Sequence, residues 1–475
     1  MPKAQAAAAP GRLSLPSVLA FACAYMPFAA LQLSVAVQLP PFFASQLGLG
    51  LTAGAAFGIV RLIDIPVDPA LGLFMDRTRT PIGRYRPWMI LGAPILMLAL
   101  YMLYQAQAGI SEGYLVLWLL VVYLGMSILL VAGNAWASTL ATSYKERSRI
   151  FGAMLAMGVV GTVTALLIPV AFEKLHLTEL AGMRAVGWFL LALSPIAILI
   201  AVSRTPERVV ASGTERRFRL ADYVGLLSRG NVLRILAADF CVTMGPGWMA
   251  ALYFFYYRQS RELSLSGASL LLTLYILAGL VGAPATAWLA NRTSKHRALV
   301  ASTTLYALML IAIPALPRGQ ALLYAPPMFL LGALATGFVV MVRAITADVG
   351  DELRLEGGRD LIALLYAVTS ATTKAAGALS IFVSYWLLSL VGFGVKPHAV
   401  NTPAQIHGLE LVFVIGPIAF VMLGGASFLG YKLSAEKHAD IRRQLDERDA
   451  VYAESPITQA AAGGAVDAIA TRPGR

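Results

Sequence analysis

Charge is what this sequence has least of. Only 13% of its 475 residues are Asp, Glu, Lys or Arg, while 58% are hydrophobic and the mean hydropathy is +0.71. Soluble domains carry about a quarter charged residues, so a surface this poor in charge cannot face water over most of its area. Cysteine is scarce too. Cys23 and Cys241 are the two in the chain. Both fall inside apolar runs, which excludes a disulfide framework and a thiolate metal set. The five histidines (His176, His296, His398, His407, His438) lie between apolar runs or near their ends, without metal-ligand spacing. A glycine-rich phosphate loop is missing as well, so ATP hydrolysis within this chain is not expected. No enzyme chemistry and no resident cofactor is indicated.

What is present is a series of long apolar blocks, each near the roughly 20 residues that cross a hydrocarbon core. They occupy residues 15–39, 51–75, 87–106, 114–140, 150–172 and 186–202, then 232–257, 267–290, 299–316, 322–347, 362–391 and 409–433. In lipid the backbone must satisfy its own hydrogen bonds, so these blocks are predicted to be helices. Strands of a membrane barrel would be about 10 residues long and strictly alternating, which these are not. The fold class predicted is an all-α membrane protein of about twelve transmembrane helices. The first block is too long for the apolar core of a signal peptide and is read as a retained span.

The net charge of +12 is distributed in a way that argues for topology over nucleic-acid binding, and no nucleic-acid partner is expected. Arg77, Arg79, Arg84 and Arg86 fall between the second and third spans, and Lys145, Arg147 and Arg149 between the fourth and fifth. Arg204, Arg208, Arg216, Arg217 and Arg219 fill the central connection, and Arg292, Lys295 and Arg297 follow the eighth span. The alternate connections hold few basic residues. By the positive-inside rule both termini are cytoplasmic, in a cell membrane expected to be a bacterial inner membrane. The longest polar connection divides the spans six and six. This gives a first half over residues 1–202, a connector over 203–230 with an amphipathic surface helix at 220–227, a second half over 231–433 and a cytoplasmic tail over 434–475. A faint repeat crosses that boundary: Pro69 precedes Asp76-Arg77-Thr78 by seven residues, and Pro284 precedes Asn291-Arg292-Thr293 by seven.

Against this background each charge inside a span is conspicuous, because burying one at a helix centre costs at least about 2.5–3.5 kcal/mol. The second span carries Arg61, Asp64 and Asp68 in the run Arg61-Leu-Ile-Asp64-Ile-Pro-Val-Asp68-Pro69. The aspartates are four apart and share a helix face. Two carboxylates so close either share a proton or hold a cation, and Pro66 and Pro69 free backbone carbonyls beside them. An ion-pair network that merely ties helices together is the structural alternative. Lys374, in the eleventh span, reaches about the same depth at 1.5 Å per residue, which makes Asp64 or Asp68 its expected partner. Asp239 in the seventh span is a shallower acid that could serve instead, and Arg343 stands near the cytoplasmic end of the tenth.

These segments also resemble a known family. The run from Arg61 to Gly72, then Asp76-Arg77-Thr78 and Gly83-Arg84-Tyr85-Arg86-Pro87-Trp88, is similar to the signature of the glycoside–pentoside–hexuronide:cation symporters, within the major facilitator superfamily. Ala347-Asp348-Val349-Gly350-Asp351-Glu352 before the eleventh span, and Lys374 within it, agree. The resemblance implies two six-helix bundles, alternating access, and a small solute and a coupling cation (proton or sodium) as partners in the bilayer; a monomer is expected. It implies that Asp64, Asp68 and Lys374 couple the cation and that Trp136 lines the solute site. Gln32, Asn134 and Lys374 are expected beside Trp136. Arg61, Asp76, Arg84, Asp239, Arg343, Asp348 and Asp351 form the expected gating network. A sodium-using member has an Asn before the second Asp and a Thr on the fourth helix, where this chain has Val67 and, by alignment, Leu129. That departure favours protons. The sugar-anchoring acids align near Ala29 and at Ala132, so a carrier of a more apolar or anionic solute is the alternative. A membrane sensor or scaffold is the alternative of another class.

Overall fold

The computed structural model describes residues 13–140, 144–207, 220–357, 362–395, 399–431 and several positions between 437 and 447. Twelve transmembrane segments form two six-helix bundles. In the first, α1 runs over Leu15–Gln46, α2 over Thr52–Ile63 and Val67–Arg77, α3 over Arg86–Tyr104, α4 over Glu112–Leu140, α5 over Tyr144–Lys174 and α6 over Glu179–Arg204. A short surface helix, Leu220–Leu227, follows. In the second, α7 covers Gly230–Ser260, α8 Leu265–Arg292, α9 Lys295–Ala312, α10 Ala325–Gly357, α11 Ile362–Leu390 and α12 Pro403–Ala426. The expected tail segment at 448–475 lies outside the described residues.

Among the described residues, eleven of the segments are helices long and apolar enough to cross a membrane. The twelfth, α2, is two pieces of 12 and 11 residues. Pro66 causes the interruption: it has no N–H to give Leu62, and its ring crowds the turn before it. The chain recovers through a tight turn, Ile65 N–H to Leu62 O at 3.2 Å and Val67 N–H to Asp64 O at 3.0 Å. Asp64 therefore caps the end of the first piece and Asp68 lies in the first turn of the second, where the helix dipole favours a negative charge.

The repeat that is faint in sequence is plain in the backbone. Both α1 and α7 end in a widened π turn, Phe42–Gln46 and Tyr256–Ser260. The next residues, Leu47 and Arg261, share φ −95° and ψ −4°. Gly48 and Glu262 then take positive φ, 80° and 57°. At the far ends of α2 and α8, Thr78 and Thr293 each donate a hydroxyl to the carbonyl four residues back, both at 2.9 Å.

Small residues let the halves approach. A Cβ on Gly54 would meet Tyr385 at 2.2 Å and one on Gly58 would meet Phe382 at 2.7 Å, so α2 packs directly on α11. At the end where α1 and α7 finish, Arg258 of α7 forks onto Glu179 of α6, which also accepts from Gln46 at 3.0 Å. Nearby, the Ser266 N–H of α8 reaches Glu173 of α5 at 2.5 Å. At the opposite end, among the described residues, Lys295 pairs with Asp348 at 2.6 Å and Asn231 with Glu352, each within the second half. The molecule is thus clasped at one end.

Candidate functional site

The break in α2 sets the site. Asp64 is 6% exposed, and Lys374 Nζ lies 2.7 Å from its Oδ2 and 2.6 Å from Asp68 Oδ2. One ammonium thus bridges both expected acids across the boundary between the halves. The second Asp68 oxygen, Oδ1, is buried and has no partner among the described residues. The second Asp64 oxygen, Oδ1, accepts from the Ser127 hydroxyl of α4 at 2.8 Å.

Ser127 corrects the expectation that the fourth helix offers no oxygen here. Leu129, the position that aligns, is apolar, but Ser127 lies about half a turn earlier and faces Asp64. Tyr123, one turn before Ser127, is buried nearby with its hydroxyl unpartnered among the described residues.

The other expected residues divide into groups. The Arg61 guanidinium lies against Gly377, where a Cβ would meet its Cζ at 2.8 Å; Gly377 is three residues past Lys374, so Arg61 joins the cluster. Asp239 of α7 is 7% exposed and accepts from the Thr373 hydroxyl at 2.7 Å. Since Thr373 adjoins Lys374, this third acid stands beside the cluster rather than in it. Arg343 of α10 is exposed, and it lies in the neighbourhood of Asp239 of α7 and Tyr25 of α1. Arg84 donates its Nε to the Met75 carbonyl at 3.1 Å, at the end of α2. Asp348 is held by Lys295, and Asp351 follows on the same helix. The side chain of Asp76 lies outside the described residues.

Trp136 is not where the resemblance put it. It is 0% exposed, its indole N–H donates to the Pro206 carbonyl at 3.3 Å, Phe21 meets it edge-on and Arg86 covers its face. It locks the start of the connector to α3 and α4. The neighbouring Glu207 carboxylate accepts from the backbone N–H groups of Arg84, Tyr85 and Arg86, at the start of α3. Asn134, half a turn before Trp136, does open onto a narrow cleft, walled by Phe21, Phe28, Leu129 and Met154. Tyr25 joins it there, and neither side chain has a hydrogen-bond partner among the described residues. Gln32 is exposed on α1 and lies apart from this cleft.

Comparison with known proteins agrees with this geometry. Residues 20–435 match the family described as MFS/sugar transport protein. The chain is similar to an uncharacterised symporter, YnaJ, of Bacillus subtilis, 25% identical over 88% of this chain and 92% of that one. It is similar also to the isoprimeverose transporter of Lactiplantibacillus pentosus, 25% identical over 84% of this chain and 85% of that one. Among solved structures it resembles a variant of the nucleoside transporter NupG, with TM-score 0.66 and 14% identity over 88% of this chain and the whole of the other, which shows the fold. With a match spanning most of its length and two six-helix bundles around a buried charge cluster, the chain belongs to the MFS/sugar transport protein family, as a multi-pass membrane protein of major facilitator fold.

Proposed function

We propose that this chain moves a glycoside-like small solute across a bacterial inner membrane by symport with a cation, using alternating access. The observation that carries this reading is Lys374 bridging Asp64 and Asp68 from the other half of the protein. A cation arriving at the two carboxylates competes with the ammonium. Once the cation is bound, the tie between α2 and α11 weakens and the halves are free to rock. With the basic connections on the cytoplasmic side, the clasped end is the outer one and the state is inward-facing.

The coupling cation proposed is a proton. The ammonium already fills the cleft between two carboxylates, Val67 offers no oxygen beside them, and a proton needs one carboxylate where a metal ion needs several ligands. Ser127 fits either charge state of Asp64, since a hydroxyl donates to a carboxylate and accepts from a carboxylic acid.

The test is paired uptake and counterflow by purified Asp68→Asn in proteoliposomes, at matched protein. Accumulation should be lost while exchange survives. An Asp68→Asn protein that still concentrates solute refutes the coupling role, whereas loss of exchange and expression together marks a structural ion pair. A sodium requirement with no response to an imposed pH gradient refutes the proton.

The apolar walls of the Tyr25–Asn134 cleft favour a second reading, a carrier of a less hydroxylated solute. A sugar hydroxyl buried there without a partner would cost about 1–3 kcal/mol. Competition between a free sugar and its aryl glycoside separates the two readings.

A further inference from the structure

On the outer flank of the first bundle, α1 and α6 leave a groove that the transport cycle described above does not use. It is lined by Pro16, Ser17, Ala20, Leu199, Ile200, Ser203 and Arg204 and encloses about 450 Å³, within the range of small-molecule sites. Its composition is graded along the bilayer normal. Leu199, 68% exposed, lines it, and the exposed Leu19 and Ile196 lie one turn along from its lining residues. The polar groups gather at the end where α6 finishes and α1 begins: the Ser17 and Ser203 hydroxyls and the Arg204 guanidinium. Arg204 is exposed and has no hydrogen bond or ion pair among the described residues.

We infer that this groove holds an anionic phospholipid, with an acyl chain along Leu19, Ala20 and Leu199 and its phosphate against Arg204. The chemistry selects that occupant. Exposed Leu on a transmembrane flank is ordinary and binds any chain, so it gives no preference among lipids. A guanidinium with no carboxylate paired to it among the described residues does give one: its planar fork matches a phosphate and pairs with it bidentately. Basic pockets between transmembrane helices at the headgroup level recognise anionic lipids in this way. The Ser17 hydroxyl, paired with Ser14 at 2.9 Å, and the Ser203 hydroxyl, which donates to the Ile200 carbonyl at 3.3 Å, stand at the same level and can turn to remaining phosphate oxygens. A zwitterionic lipid carries the same phosphate but brings its own ammonium, which offsets the attraction and is repelled by Arg204.

Photocrosslinking tests this on the full-length protein. A benzophenone amino acid is placed at Leu199, or at Leu280, an exposed apolar position of α8, as control; Leu280 is 51% exposed. The protein is reconstituted in nanodiscs of phosphatidylglycerol and phosphatidylcholine at one to three, and the crosslinked lipid is identified by mass spectrometry. Phosphatidylglycerol should be enriched at least threefold over its bulk share at Leu199 and not at Leu280. Arg204→Gln should reduce the Leu199 enrichment to the control value, and Arg204→Lys should retain part of it. Because Arg204 is exposed, neither substitution threatens folding, and retained thermal stability is the check. Bulk composition at Leu199, or enrichment that Arg204→Gln leaves unchanged, overturns the site. Added inorganic phosphate abolishing the enrichment would also overturn it, as a free-anion site. None of these outcomes bears on coupling at Asp64, Asp68 and Lys374.

Discussion

At the scale of single residues, the charge cluster divides into what a sequence reveals and what it hides. Asp64, Asp68 and Lys374 stand out because an ionised group in an apolar span is costly and so is rarely there by accident. Ser127 gives no such signal, because a serine in a helix is cheap and its hydroxyl can bond back to its own backbone. Its partner depends on where α2 unwinds. Alignment with the family selects Leu129, whereas the break at Pro66 brings Asp64 against Ser127 instead. Trp136 misled in the opposite direction, since nothing local announces that the Pro206 carbonyl returns to cap its indole. Two predictions belong here. Ser127→Ala should leave folding intact, weaken cation dependence by roughly tenfold, since the lost hydrogen bond to a charged group is worth about 1.5 kcal/mol, and displace the pH profile of uptake. Ser127→Thr should restore both. Lys374→Ala strands the buried Asp64 and the half-buried Asp68, and removing one partner of a buried pair costs about 3–5 kcal/mol. Thermal unfolding in detergent should show that loss, and adding Asp68→Asn should recover part of it. If the double variant is no more stable than Lys374→Ala, the three groups do not act as one cluster.

At the scale of elements, most helices were legible and the exceptions have physical causes. Apolar blocks near 20 residues become helices because lipid leaves the backbone no other partner, and this logic located all twelve segments. It could not show that α2 is two pieces, because Pro94, Pro169, Pro195, Pro246, Pro284 and Pro417 all sit inside helices that continue. Pro66 differs in being followed by a second proline three residues on, with two acids that find their partner on α11. The π turns closing α1 and α7 were equally hidden, since they depend on the packing of both bundles. Their matched geometry yields a stability prediction. Leu47-Gly48 and Arg261-Glu262 take the same path, but only the first half has glycine at the positive-φ position. The left-handed region disfavours residues with a Cβ by about 1–2 kcal/mol. The Glu262 contact to Arg318, 3.5 Å long and exposed at both partners, contributes little against that. Glu262→Gly should therefore raise the unfolding temperature by a degree or two with transport unchanged. Gly48→Ala should lower it. A decrease for Glu262→Gly would mean that the Arg318 contact outweighs the backbone strain.

At the scale of the whole molecule, the contact that matters is one whose energy differs between states. The ion pair of Arg258 with Glu179 joins the halves at the clasped end, and its side chains remain 37% and 33% exposed. Partly exposed pairs of this kind contribute about 1 kcal/mol or less to folding. A carrier, however, has two folded states of similar free energy, and a contact present in only one of them acts on their ratio. At 1.4 kcal/mol for each factor of ten, a loss of 1 kcal/mol multiplies the open population about fivefold. Ser269 reports on that population. It is 1% exposed and lines the cleft between α1, α5, α6 and α7 just behind the pair, so it is shielded while the clasp is shut. The experiment replaces Cys23 and Cys241 with alanine, introduces Ser269→Cys, and measures the rate of thiol labelling in proteoliposomes. Arg258→Gln or Glu179→Gln should each speed labelling several-fold. The charge swap Glu179→Arg with Arg258→Glu should slow it again, because the attraction is restored with its sign reversed. Raising the salt concentration should quicken labelling of the unmodified pair, since screening weakens exposed charges, and should have little effect once either charge is gone. A labelling rate indifferent to all of these substitutions would show that the clasp rests on the apolar packing of α2 against α11, with the ion pair a bystander.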